Sequence, residues 1–164
     1  MRDMCGLAGE VRLDGAPADV AAVKRMAATM DDRGPDDSGS WALGRVALSH
    51  RRLKVIDLSL ASHQPMVDPV GGLTGVFNGC IYNYRELRAE LQARGHRFFS
   101  TGDTEVVLKA YTQWGLDFVD HLIGMFAVAI VEHRSGQLPL CRSNEADDLR
   151  FTGLAGADHT WFRL

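Results

Sequence analysis

Residues 126–131, Phe-Ala-Val-Ala-Ile-Val, constrain this chain more than any other stretch. An unbroken apolar run rich in β-branched residues suits a strand buried on both faces, not a half-solvated one. Residues 125–131 are also far too short to cross a bilayer, which takes about 20 apolar residues as a helix. A strand with two dry faces needs cover on each, so the chain has to build layers around it. With 164 residues there is material for one core of that kind. The hydrophobic share of 46% and charged share of 24% are those of a globular protein, so disorder is not expected for the bulk of the chain.

The elements around that strand follow from periodicity and turn chemistry. Residues 6–13 read as a strand ending at Asp14-Gly15. Pro17 opens a helix whose apolar stripe is Val20, Val23, Ala27 and Met30. Residues 31–39 are turn formers throughout, and residues 41–48 read as two short strands joined at Gly44-Arg45. Val55-Ile56 look buried, and residues 59–72 read as loop. Residues 73–77 read as a strand closed by Asn78-Gly79. Asn83 is placed to cap a helix, with Glu86 in the capping-box position and Gly95 as its stop. A third helix starts at 101–103, buries Val107, Ala110, Tyr111 and Trp114, and stops at Gly115, with a helical turn at 118–122. After the apolar strand, Ser135-Gly136 turns the chain into a partner strand at 138–141. Residues 142–164 show no sustained period. Paired strands interrupted by three helices predict an α+β fold of mostly antiparallel sheet with helices outside.

Charge and cysteine content narrow the function classes. The net charge is −3, with 18 basic and 21 acidic residues and no basic block, so no nucleic-acid partner is expected. Cys5, Cys80 and Cys141 are widely spaced and odd in number, which favours a reducing compartment over a disulfide framework. The N-terminus has no apolar core of a signal peptide, so a cytoplasmic location and no membrane partner are expected. His50, His63, His96, His121 and His133 lack metal-ligand spacing, and no metal is expected.

Four constellations can carry chemistry. Cys5, just ahead of a strand, is either a small buried hydrophobe or a nucleophile. At a mature N-terminus its own α-amine could accept the thiol proton without a separate histidine. Because Met1-Arg2-Asp3-Met4 precede it, that chemistry predicts translation from Met4 and removal of the initiator. Asn78-Gly79 is either a hairpin turn or an oxyanion hole made of a side-chain amide and an unobstructed N–H. Arg52 is either part of a solvated basic edge or a forked clamp for a carboxylate. Residues 101–105, Thr-Gly-Asp-Thr-Glu, cap a helix and bring Asp103 as a partner for an ammonium group. Nucleophile, base, oxyanion donors, carboxylate clamp and ammonium partner together are what attack on the side-chain amide of a free amino acid requires.

The same residues resemble the class II glutamine amidotransferases, in particular the asparagine synthetase type. The similar runs are Met-Cys-Gly-Leu-Ala-Gly at 4–9, Arg-Gly-Pro-Asp-Asp-Ser-Gly at 33–39, His-Arg-Arg-Leu at 50–53, Ile-Asp-Leu-Ser at 56–59 and Gln-Pro-Met at 64–66. Phe-Asn-Gly at 77–79, Ile-Tyr-Asn-Tyr-Arg-Glu-Leu at 81–87, Ser-Thr-Gly-Asp-Thr-Glu at 100–105 and Gly-Met-Phe-Ala at 124–127 complete the series. The resemblance covers residues 4–140. It implies a four-layer αββα sandwich of the N-terminal nucleophile hydrolase kind and the hydrolysis of glutamine to glutamate and ammonia without a cofactor. Cys5 would form a glutamyl thioester, Asn78 and the Gly79 N–H would hold the oxyanion, Arg52 would bind the glutamine carboxylate and Asp103 its ammonium. Backbone groups around Val55 and Ile56 would line the pocket.

Two departures from the family pattern matter. Cys80 stands where the family usually has a glutamate that helps hold the substrate ammonium. The run Asn-Gly-Cys-Ile-Tyr-Asn-Tyr at 78–84 is similar to the branch that amidates N-acetylglutaminylglutamine. Beyond Leu140 the resemblance stops, and residues 141–164 are expected to be a divergent tail of a frameshifted or truncated chain. The loss would leave sheet edges uncovered, most seriously along 126–131. The synthetase domain, with its ATP and Mg requirement, would lie outside this chain and be its partner, and a homodimer is open to it. The alternative expectation is an inactive remnant or a glutamine-binding module.

Overall fold

The computed structural model of the chain describes residues 5–143, 152–155 and 159–163. In chain order the elements are β1 (Gly6–Arg12), α1 (Val20–Ala28), β2 (Asp37–Leu43), β3 (Val46–Arg52), β4 (Met66–Asp68) and β5 (Leu73–Ile81). They continue as α2 (Tyr84–Ala93), α3 (Asp103–Trp114), β6 (Gly124–Glu132), β7 (Leu140–Arg142), β8 (Thr152–Ala155) and β9 (His159–Arg163). Short 3-10 turns cover Leu60–Ser62 and Gly115–His121. The described residues form two units, one of residues 5–54, 63–65, 152–155 and 159–163, the other of 55–62 and 66–143.

The first unit is a five-stranded antiparallel sheet in the order β2-β3-β1-β9-β8, with α1 on one face. Val23, Ala27 and Met30 of the α1 segment pack on Ala8 and Ala47, the stripe expected from helical spacing. Asp19, not Pro17, starts this helix: its carboxylate accepts the Ala22 N–H at 2.9 Å. Strand β2 begins at Asp37, inside the stretch read as turn. Pairing of Asp37 with Arg52 and Ser38 with Arg51 extends the ladder through residues of poor strand propensity.

The second unit is a four-stranded antiparallel sheet in the order β4-β5-β6-β7, with α2 and α3 on one face. Its core joins Phe77 and Ile81 of β5, Leu87 and Leu91 of α2, Val107, Ala110 and Tyr111 of α3, and Phe126, Val128 and Ile130 of β6. Residues 126–131 are all buried, as their composition predicts. Lys109 of α3 and Asp68 of β4 form a buried ion pair at 2.7 Å. Helix α2 ends in a Schellman arrangement, with the His96 N–H on the Leu91 carbonyl and the Gly95 N–H on that of Gln92. Asn83 does not cap α2 through its side chain. Its amide instead donates to the His121 carbonyl and accepts from the Ile123 N–H, both at 3.0 Å.

The C-terminal strands depart from expectation. Beyond the predicted strand at 138–141, which is present as β7, the sequence suggests no regular element. The structure pairs β9 with β1 and β8 with β9, and the buried Phe162 ring lies over Gly9. The open edge of β1 supplies the ladder that the local sequence does not signal. Strand β1 thus has neighbours on both sides, as does β6, rather than bare edges. The expected start at Met4 and the remainder of the tail lie outside the described residues. Among the described residues no helix is long and apolar enough to cross a membrane.

Candidate active site

In the first unit, the candidate residues Cys5 and Arg52 lie where β1 begins and β3 ends. Cys5 directly precedes β1 and is half-buried. Its Sγ accepts the Leu53 N–H at 3.3 Å and lies 3.6 Å from the Leu53 carbonyl. The loop ahead of β2 laces this corner together. Asp36 donates its N–H to the Arg52 carbonyl at 3.0 Å, and its carboxylate accepts the Lys54 N–H at 2.8 Å. Arg52, between those two anchors, is buried. That rules out the solvated basic edge. Asp37 sits across from Arg52 in the β2–β3 register, and its Oδ2 lies 2.7 Å from Nδ1 of His63. Burial would raise the Asp37 carboxyl, but the bond and charge of His63, the Ser38 N–H and the charge of Arg52 together lower it.

In the second unit, Asn78-Gly79 lies in the β5–β6 ladder. Asn78 pairs with Ala127 and Gly79 with Phe126, so the dipeptide lies within a nine-residue strand and is not a hairpin turn. Asn78 is 1% exposed, and its Nδ2 has no hydrogen-bond partner among the described residues. Buried donors are nearly always satisfied, so this one is costly unless something else uses it. Gly79 has φ +145°, and a Cβ there would lie 2.2 Å from the Met125 carbonyl oxygen. Only glycine fits both the backbone conformation and the space.

Asp103 opens α3, and its Oδ2 accepts the Ile81 N–H at 3.2 Å. Burial pushes its carboxyl up to about 6, against the lowering pull of the Ile81, Asp103 and Thr104 N–H groups. Cys80 is exposed, and its thiol is pushed up first by partial burial and then by the negative charge of Asp103. A thiol raised in this way stays protonated at neutral pH.

Two expectations need correction here. Val55 is 72% exposed and Ile56 half-buried, because residues 55–56 form a bend and not a strand. The buried anchor of that loop is the next residue, Asp57. It accepts the Ser59 N–H, the Ser62 hydroxyl, and the Thr101 N–H and hydroxyl, at 2.8–2.9 Å. Burial acts to raise the Asp57 carboxyl, but these bonds hold it well below the usual carboxylate range. Thr101 therefore ties the α3 entry to Asp57 and does not cap the helix; Gly102 stands at the cap. Glu105 completes the entry, accepting the Phe99 and Ser100 N–H groups and the Ser100 hydroxyl. Neither carboxylate is legible as an anchor from residue type alone. The Asp-x-Ser pattern at 57–59 is a turn signal that points to the first of them.

The glutamine amidotransferase domain family matches residues 4–145. The chain belongs to that family. The candidate residues Cys5, Arg52, Val55, Ile56, Asn78, Gly79, Cys80 and Asp103 all fall in the matched span. The chain is similar to asparagine synthetase [glutamine-hydrolyzing] 3 of Bacillus subtilis, 41% identical over 138 residues, which is 82% of the chain and 22% of that relative. It is also similar to asparagine synthetase [glutamine-hydrolyzing] 2 of the same organism, 37% identical over 85% of the chain and 19% of the relative. The domain thus spans about a fifth of the length of the curated relatives it matches. Among solved structures, the glutamine phosphoribosylpyrophosphate amidotransferase from B. subtilis shares its fold. The TM-score is 0.77 at 17% identity, over 96% of this chain and 41% of that one.

Proposed function

We propose that this domain hydrolyses glutamine to glutamate and ammonia as the glutaminase part of an asparagine synthetase-like enzyme. The observation that carries the reading is the buried Nδ2 of Asn78, without a hydrogen-bond partner among the described residues, beside a glycine that tolerates no side chain. A buried amide donor of this kind is what a developing oxyanion needs.

In this mechanism the Sγ of Cys5 attacks the side-chain amide carbon of glutamine. The carbonyl oxygen becomes an oxyanion held by Asn78 Nδ2 and the Gly79 N–H. The thiol proton passes to the α-amine of Cys5 and from there to the leaving nitrogen, so ammonia departs and a thioester remains. Water then attacks the thioester, releasing glutamate and restoring the thiol. Arg52 binds the substrate carboxylate through its guanidinium fork, and Asp103 binds the substrate ammonium. Cys80 adds no charge beside Asp103, so the ammonium relies on Asp103. Backbone groups of the 55–56 bend complete the pocket. Residues 1–4 precede Cys5 in the sequence, and the amine chemistry requires their removal. Hydrolysis uses no cofactor; ATP and Mg would serve a synthetase part that receives the ammonia.

The test is glutamine turnover by a chain beginning at Cys5, with the Cys5→Ala chain as control. Ammonia release that disappears in Cys5→Ala supports the reading. Equal release from both chains overturns it.

A further inference from the structure

We propose that Arg88 is a positioning residue that aims Asp103 at the substrate ammonium by holding the peptide between Gly102 and Asp103, an inference that rests on reading Asp103 as the ammonium partner.

Asp103 opens α3, so its carboxylate is placed by the segment that leads into the helix. That segment is tied at successive residues. Glu105 accepts the Phe99 and Ser100 N–H groups, and Asp57 accepts the Thr101 N–H and hydroxyl. The next group along is the Gly102 carbonyl, and it is held from a different helix. Arg88 of α2 donates to it from Nη2 at 3.0 Å. A side chain at 102 would crowd this corner: a Cβ there would lie 2.7 Å from Oγ of Ser62, whose hydroxyl is bound to Asp57.

Arg88 is itself braced. Its guanidinium carbon lies 4.2 Å from the centroid of the Phe98 ring, and Phe98 packs against the core of the second unit. The preceding residue, Leu87, is buried in that core and fixes this turn of α2. A planar guanidinium stacked on a ring loses little freedom when it makes its hydrogen bond.

The coupling to Asp103 runs through one peptide group. The Gly102 carbonyl and the Asp103 N–H lie in the same rigid plane, so fixing the oxygen fixes the direction of the N–H. That N–H is one of three, with those of Ile81 and Thr104, that bond the Asp103 carboxylate. A charged donor on the carbonyl also polarises the peptide and strengthens its N–H as a donor. Arg88 therefore acts through a peptide on Asp103 and touches no reacting atom.

The experiment is calorimetric binding to the full Cys5→Ala chain of two ligands, glutamine and glutaramate, which is glutamine without its α-amine. Arg88→Met keeps an apolar stem on Phe98 and removes the donor. It should raise the Kd of glutamine about tenfold and leave that of glutaramate unchanged. With Cys5 intact, the same substitution should raise KM for glutamine and leave kcat unchanged. Arg88→Lys, which keeps a charged donor, should hold the glutamine Kd within about threefold of the unmodified chain. In an Asp103→Asn background, Arg88→Met should weaken glutamine no further. Unchanged glutamine binding in Arg88→Met, equal weakening of both ligands, or full additivity with Asp103→Asn would each overturn the role. Loss of cooperative unfolding in both Arg88→Met and Arg88→Lys would make Arg88 a residue of the fold and overturn it too. If Asp103→Asn binds glutamine as tightly as the unmodified residue does, the ammonium reading itself fails. If Asp103→Asn weakens glutamine and Arg88→Met does not, only the positioning role falls.

Discussion

Asn78→Ala should separate turnover from stability. The Nδ2 of Asn78 is buried without a partner among the described residues, so the folded domain carries its desolvation penalty, about 1–3 kcal/mol. Truncation removes that penalty. It also removes packed atoms, at about 1–2 kcal/mol for a small deletion in a core. The two effects oppose each other, leaving a net change between about 1 kcal/mol of loss and about 2 kcal/mol of gain. For a domain of this size the largest loss corresponds to a fall of about 4 °C in Tm. Loss of an oxyanion donor should lower kcat about 100- to 1000-fold. Thermal unfolding by circular dichroism and steady-state ammonia release, on the same preparation, check both halves. A Tm loss of more than about 6 °C would mean that Nδ2 is a structural donor. Unimpaired kcat would mean that it is not an oxyanion donor. Either result refutes the reasoning.

Four further outcomes follow from the charges and bonds of the two units. Glutamine binding to the Cys5→Ala chain, measured by calorimetry, should weaken as pH falls through about 6, where Asp103 takes up a proton; Asp103→Asn should bind weakly at every pH. The same raised carboxyl makes ionised Asp103 a burden on the fold above about pH 6, so Asp103→Asn should unfold at higher denaturant than the unmodified domain at pH 8 and lose that advantage below pH ~4. Asp57, whose carboxyl is held down, contributes stability above the ordinary carboxyl range, about pH 4, and loses it as pH falls further; Asp57→Asn should flatten the acid limb of a pH-dependent melting series. Lys109→Met alone should cost about 3–5 kcal/mol in chemical denaturation by stranding the buried Asp68, and Lys109→Met with Asp68→Leu should recover most of it.

How far the sequence discloses this fold depends on where each signal resides. The β6 run and the apolar face of α3 are legible because period and burial agree within one element. Asp37, Ser38 and Gly39 are turn formers by type, and only pairing with β3 makes them strand. The two readings of Asn78-Gly79 are separated by register, a relation to residues 126–127 that local sequence does not carry. Asp57 is illegible as an anchor for the same reason: its bonds reach 2, 5 and 44 positions along the chain. Strands β8 and β9 depend on the edge of β1 and leave no period behind. The chemical identities at Cys5, Arg52 and Asp103 are legible because their motif runs are long and specific. The Asp37–His63 contact is not legible, because 26 positions separate the two residues.

The proposed role of Cys5 as the nucleophile of a glutamine pocket can be read from intact mass and peptide mapping of a chain beginning at Cys5, after exposure to a diazoketone analogue of glutamine. A single adduct on Cys5, prevented by excess glutamine, with Cys80 and Cys141 unmodified, is expected. No adduct, or an adduct on Cys80 or Cys141 that glutamine does not prevent, would rule that role out.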